Sequence, residues 1–188
     1  MDLLHSLKAS TSQHHHQIEQ IALLKKIITN EITLPEYKKL LCQLYGFINP
    51  CEKKIKQKFP CIIEGREKTL LLNTDLLELN CDISSDFLFC NNIPALNTIP
   101  EIFGYLYVLE GSTLGGQMIT KLLKLNLQSS PMIPTRYFNA YGKKTKNNWD
   151  VFLKSLISYD FNRNQKKIIV KSAINTFSSL LNWLKSLP

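Results

Sequence analysis

No apolar run in these 188 residues is long enough to cross a membrane. The N-terminus, Met1-Asp2-Leu3-Leu4-His5-Ser6-Leu7-Lys8, lacks the basic-then-apolar layout of a secretory leader. Cys-x-x-Cys pairs are missing too. Cys42, Cys51, Cys61, Cys81 and Cys90 are odd in number and scattered, which argues against a zinc knuckle or a dithiol motif and for reduced thiols in a cytoplasmic protein. No glutamate stands three residues before a histidine, and all four histidines fall within residues 5–16. The carboxylate-rich sites of helical di-metal oxidases therefore have no basis here. No dinucleotide-binding fingerprint occurs, so electrons for any redox chemistry come from outside the chain. Sustained apolar–polar alternation, internal repeats and low-complexity tails are absent as well.

Acidic residues are in deficit. Lys and Arg number 23 against 15 Asp and Glu, a formal charge of +8. Such a balance suits nucleic acid, an acidic protein partner or an anionic ligand. The cations are dispersed and carry no nucleic-acid-binding signature, so most belong to a solvated surface.

What is present reads as helix nearly throughout, an all-α chain of one domain over residues 1–188. The spacing predicts a first helix from about Leu3 to Ile28. A second runs from Leu34 toward Phe59, with Asn49-Pro50 kinking or dividing it. Cys61 to Gly65 reads as a connection, Glu67 to Leu79 as a shorter helix, and Cys81 to Thr98 as irregular chain. A central helix starts at Pro100 and ends near Leu125. Pro131 and Pro134 mark a loop, Pro134 to Ala140 a short helix stopped by Gly142, and two last helices cover Thr145–Tyr159 and Arg163–Leu187.

Glycine is scarce, yet four of the seven crowd into the central helix as Gly104, Gly111, Gly115 and Gly116. Each interior glycine costs a helix roughly 0.5–1 kcal/mol relative to alanine. Helical spacing sets Val108, Gly111, Ser112, Gly115 and Ile119 on one side, bare backbone in its middle. Spacing alone leaves two readings open: a close helix–helix crossing, or a strip against which something flat or bulky lies.

In the first helix, His14, His15 and His16 point in different directions, so they cannot jointly ligate one metal. The apolar stripe is Leu4, Leu7, Thr11, Ile18 and Ala22. His16 faces away from it, and His14 and His15 flank it on opposite sides, which periodicity cannot separate. Thr11 four residues before and Glu19 four after favour His15, because a metal-bound imidazole usually donates its other N–H to a supporting acceptor.

The segment Tyr107-Val108-Leu109-Glu110-Gly111-Ser112-Thr113-Leu114-Gly115-Gly116-Gln117 closely resembles the distal-helix motif of biliverdin-producing heme oxygenases, best in the bacterial, phytochrome-associated type. Leu7-Lys8-x-x-Thr11-x-x-x-His15-x-x-Ile18-Glu19 is similar to that family's N-terminal pattern. Weaker likenesses follow at Arg136-Tyr137-Phe138-Asn139-Ala140-Tyr141-Gly142, at Trp149 and Phe152, and from Ala173 through Phe177 to Trp183-Leu184; the weakest stretch lies between Phe59 and Ile99.

The resemblance implies a helical bundle of the heme oxygenase type. His15 would be the proximal iron ligand, with Thr11 and Glu19 beside it. Gly111, Ser112, Gly115 and Gly116 would form the oxygen side. Lys8, Lys154 and Arg136 would be candidate cations for the heme propionates, and Phe177 a pocket aromatic. Heme would be cofactor and substrate together, cleaved with O2 and electrons from an external reductase or ferredoxin to biliverdin, carbon monoxide and ferrous iron. A biliverdin acceptor such as a phytochrome is a candidate further partner. Mammalian-type members carry aspartate where this chain has Ser112, a departure the phytochrome-linked type shares. It leaves the distal proton path open among Ser112, backbone carbonyls and water, and keeps a heme carrier or sensor without turnover as the alternative.

Overall fold

The computed structural model describes residues 2–81, 83, 87–127 and 133–186. Among these, eight α-helices occur: α1 (Leu3–Glu19), α2 (Ala22–Ile28), α3 (Leu34–Lys58), α4 (Pro60–Ile63), α5 (Thr69–Glu78), α6 (Ile99–Asn126), α7 (Thr145–Ser158) and α8 (Arg163–Ser186). A 3-10 turn, Gly142–Lys144, precedes α7. No described helix is long and apolar enough to cross a membrane.

The pairing of α6 with α8 is the most extensive, and α1 lies along α8. Buried Ile169, Ser172, Ala173, Thr176 and Phe177 give α8 a stripe at three- and four-residue spacing that meets α6. Gly104 explains how closely. A Cβ there would stand 2.5 Å from the Ile169 carbonyl oxygen and from Ser172 Cβ, and 2.8 Å from the Ala173 nitrogen. The helix–helix reading of the glycines is therefore right for Gly104. Gly104→Ala gains about 0.5–1 kcal/mol of helix propensity but forces two backbones apart, at about 1–3 kcal/mol. The clash wins because backbone cannot swing aside. A net loss of roughly 1–2 kcal/mol is expected as a lower urea midpoint; an unchanged midpoint would mean that α8 shifts freely.

Several sequence expectations change. The first helix is two: it stops at Glu19, and Ile21 adopts an extended ψ of 132° before α2 starts. The apolar pattern runs through the break because Ile18, Ile21, Leu24 and Ile27 all face inward, so periodicity does not register it. Asn126 at the end of α6 donates to the Ile27 carbonyl at 2.9 Å, and Asn30, at φ 63°, turns the chain away. Cys61 to Gly65 is not all connection, since α4 forms its first part. Pro134 to Ala140 is not a helix. Residues 136–141 are turns, because buried Asp75 of α5 captures the Arg136 and Tyr137 N–H groups at 3.0 and 2.9 Å. Of the other expectations, Pro131, Leu187 and part of the 81–98 stretch lie outside the described residues.

Helix α3 is not divided at Asn49-Pro50. Proline at position 50 cannot donate to the Gly46 carbonyl. That carbonyl accepts the Cys90 N–H instead, at 2.9 Å. Gly46 admits the incoming strap, since a Cβ there would lie 2.7 Å from the Leu88 carbonyl oxygen and 2.8 Å from the Trp183 ring. Bringing Cys42 of α3 beside Cys81 is another product of folding. Their sulfurs stand 3.2 Å apart, and burial pushes the Cys42 thiol up to about 12.

Candidate functional site

A cleft opens between α1 and α6, closed at the back by Phe177 and Leu180 of α8. It consists of two adjoining cavities, of about 320 Å³ and about 160 Å³, which share His15, Ile18, Ser112 and Leu180. Together they fall within the roughly 300–1,000 Å³ of small-molecule pockets. The α1 wall carries Lys8, Thr11, His15 and Ile18; the α6 wall carries Val108, Gly111, Ser112, Gly115 and Ile119. Trp149 of α7, and Tyr137 and Phe138 of the preceding turns, complete it.

Burial of Leu3, Leu7 and Thr11 against α8 fixes the rotation of α1 and brings His15, one turn after Thr11, to the cleft. The His15 side chain is 58% exposed and meets the Phe177 ring edge-on, centroids 6.1 Å apart. His14 does not line the cleft, and its Nδ1 is buried without a partner. His16 points to an outer groove beside Lys185. Glu19 stands between two imidazoles, 3.5 Å from His15 Nδ1 and 3.2 Å from His16 Nδ1. The support expected for His15 is thus shared. Thr11 donates to the Leu7 carbonyl at 2.7 Å and lines the same cavity as Tyr107 of α6.

The glycines of α6 divide their work. A Cβ on Gly115 would meet nothing within 4 Å, and one on Gly111 would only touch Trp149 at 3.6 Å. A Cβ on Gly116 would collide with the Phe138 carbonyl, so this glycine admits the turn that crosses α6. Open backbone is therefore found at Gly111 and Gly115, with Ser112 lining the cleft between them.

Beneath the cleft lies a charged cluster. Glu110 is wholly buried and takes Lys68 Nζ at 2.8 Å, Arg66 Nη1 at 3.1 Å and the Tyr141 hydroxyl at 2.9 Å. Lys68, 2% exposed, also donates to the Arg66 carbonyl at 2.6 Å and bonds the Tyr141 hydroxyl at 3.0 Å. Burial and then the Glu110 charge push the Tyr141 phenol up. Buried Glu52 of α3 accepts the Lys68 and Thr69 N–H groups at 2.7 and 3.1 Å, a carboxylate at the positive end of α5.

The sequence matches the model of the heme oxygenase family over residues 1–81 and 89–186. The chain belongs to the heme oxygenase family. Its fold is that of the family: it resembles the heme oxygenase from Leptospira interrogans with a TM-score of 0.82 at 16% identity, covering 100% of both chains. It also resembles heme oxygenase-1 from the cyanobacterium Synechocystis in complex with heme, with a TM-score of 0.74 at 16% identity, covering 100% of this chain and 92% of that one. No curated protein sequence matches this one. Where the sequence likeness is weak from Phe59 to Ile99, the family match leaves out only residues 82–88.

Within this heme oxygenase fold, the candidate residues Lys8, Thr11, His15, Glu19, Gly111, Ser112, Gly115, Gly116 and Phe177 all line one cleft. Arg136 does not reach it. Its guanidinium is paired with Glu78 at 2.6 Å and Asp75 at 3.4 Å, which holds it on α5. Lys154 is exposed on α7 and does not line the cleft either. The cation that sequence reasoning missed is Lys68, which lines the cleft beneath Ser112 and Thr113. One signal pointed there: Glu110 is the single carboxylate in the apolar run from Ile102 to Ile119. A charge in such a place needs a cation.

Proposed function

We propose that this chain is a heme oxygenase, with residues 1–188 acting as one domain. Heme lies in the cleft between α1 and α6, His15 ligates its iron, and the ring is opened to biliverdin, carbon monoxide and ferrous iron. One observation carries the reading: an imidazole and a helix wall opened by two glycines, Gly111 and Gly115, face a shared cleft. The lining fits a porphyrin. Ile18, Leu24, Leu44, Ile119, Phe138 and Leu180 offer apolar contact. Exposed Lys8 offers a cation for a propionate at the other cavity. The bound heme, reduced by an external reductase or ferredoxin, supplies the oxygen-activating chemistry that consumes its own ring.

The chain's own residues set the geometry. His15 orients the ring plane from α1, steadied by Glu19 and by the edge of Phe177. Gly111 and Gly115 leave room on the opposite face, beside Ser112. Adding hemin to the purified protein should give a Soret band. Supplying reductant under air should then give a biliverdin spectrum. A stable complex that never turns over would identify a carrier or sensor, and no band would end the heme reading. Gly115→Leu fills the open space while leaving His15 untouched. Turnover should fall by ~100-fold, the scale of a 1 Å misplacement, while heme binding persists. Unchanged turnover would show that oxygen does not bind on the glycine face.

A further inference from the structure

The end of α5 meets the middle of α3 through two thiols. Helix α5 packs along α3 and buries Leu72 and Leu76. Where α5 ends, its backbone is pinned. Asn80 takes a left-handed φ of 53°. Its N–H donates to the Leu77 carbonyl at 3.0 Å, and the Cys81 N–H donates to the Leu76 carbonyl at 2.9 Å. These two bonds close the helix in a Schellman turn. Lys38, one turn before Cys42 on α3, donates from Nζ to the Asn80 carbonyl at 2.9 Å. Cys81 is therefore delivered to α3 by a backbone held from both sides, with its sulfur 3.2 Å from that of Cys42.

The two differ from the other cysteines in access. Cys51 and Cys90 are buried and Cys61 is exposed, whereas Cys42 and Cys81 are both half-buried, within reach of a small solute. The gap left to bonding distance is roughly 1 Å, which side-chain rotation can close while both backbones stay in place.

We propose that Cys42 and Cys81 form a redox clasp: a peroxide oxidises them to a disulfide that locks the end of α5 to α3. The Cys81 sulfur attacks the peroxide, its O–O bond breaks, and hydroxide leaves while one oxygen stays on sulfur. The Cys42 sulfur then displaces that oxygen and the S–S bond forms. Both thiol protons end in the two water molecules produced. The thiols lose two electrons and the peroxide gains them. Burial pushes the Cys42 thiol up to about 12, which suits it to the second step, where it attacks from contact. In a reducing compartment the pair stays open until an oxidant appears. The clasp bears on the cleft through α5. Asp75 of that helix accepts the N–H groups of residues 136 and 137, and Lys68, just before it, lines the cavity. The inference stands independently of the heme reading.

The test treats the whole chain with hydrogen peroxide, then uses peptic digestion and fragment mass spectrometry to locate any cross-link. The expected product is a monomer lighter by two hydrogens, joined between Cys42 and Cys81. Its melting temperature should rise by roughly 5–15 °C, the effect of closing so long a loop, and fall back on treatment with dithiothreitol. Amide exchange along α5 should slow in the oxidised form. Cys61→Ser should behave as the unchanged chain does, and Cys42→Ser and Cys81→Ser should each lose the cross-linked species. The unchanged chain decides the matter even if a variant folds poorly. A bond joining any other pair overturns the proposal, as does a Cys42 or Cys81 that gains only oxygen or stays open to alkylation. A Cys42–Cys81 bond that moves neither the melting temperature nor exchange along α5 overturns the clasp as well.

Discussion

Replacing His15 with alanine removes the histidine-ligated heme spectrum while His14→Ala and His16→Ala retain it. Only His15 of the three lines the cleft. Loss of a group that merely supports a metal ligand costs about 10–100-fold in affinity, so loss of the ligand itself should cost at least ~100-fold. Hemin titration followed at the Soret band measures this directly. His15 is exposed and its imidazole makes no hydrogen bond stronger than its contact with Glu19, so the variant should fold normally. Retention of the wild-type band in His15→Ala would transfer the axial role elsewhere on α1. His14 would then be the next residue to test, because its buried Nδ1 has no partner.

Glu110→Leu produces the largest loss of stability. It leaves the Lys68 ammonium buried with only the Arg66 carbonyl and Tyr141 hydroxyl for company, and strips Arg66 of its carboxylate. Removing one partner of a buried ion pair costs about 3–5 kcal/mol. For a chain of this size that is a drop of roughly 6–20 °C in melting temperature. Replacing Glu110, Lys68 and Arg66 together by apolar residues should cost less, since no uncompensated charge remains. A single-variant drop below about 2 °C would mean that water enters the cluster. The change also reaches the site: Gly111 follows Glu110 directly, and Lys68 lines the cleft.

Local chemistry accounts for which elements were legible. The start of α3 shows in the sequence because Thr33, Pro35 and Glu36 cap it within four residues. Gly142 does adopt the left-handed conformation that suits glycine, at φ 51°, but it opens a 3-10 turn rather than stopping a helix. The end of α1 was not legible, because nothing near Gln20 breaks the apolar pattern. The fate of Pro50 depended on Cys90, forty residues away, donating to Gly46. Arg136 looked free for a propionate because Asp75 and Glu78, its partners, sit on a helix sixty residues earlier in the chain.

The sequence by itself determined the helical class, the family motif, the placing of His14 and His15 on either flank of the α1 stripe and the concentration of glycine in α6. These are properties of periodicity and residue type, which act over one or two turns. Only the tertiary structure decided that Gly104 and Gly116 serve packing while Gly111 and Gly115 stay open, that Lys68 rather than Arg136 lines the cleft, and that Tyr137 lines the same cavity as Ser112. Each of these depends on where a second, distant element comes to rest, and that position is set by the burial of whole helix faces rather than by any local pattern.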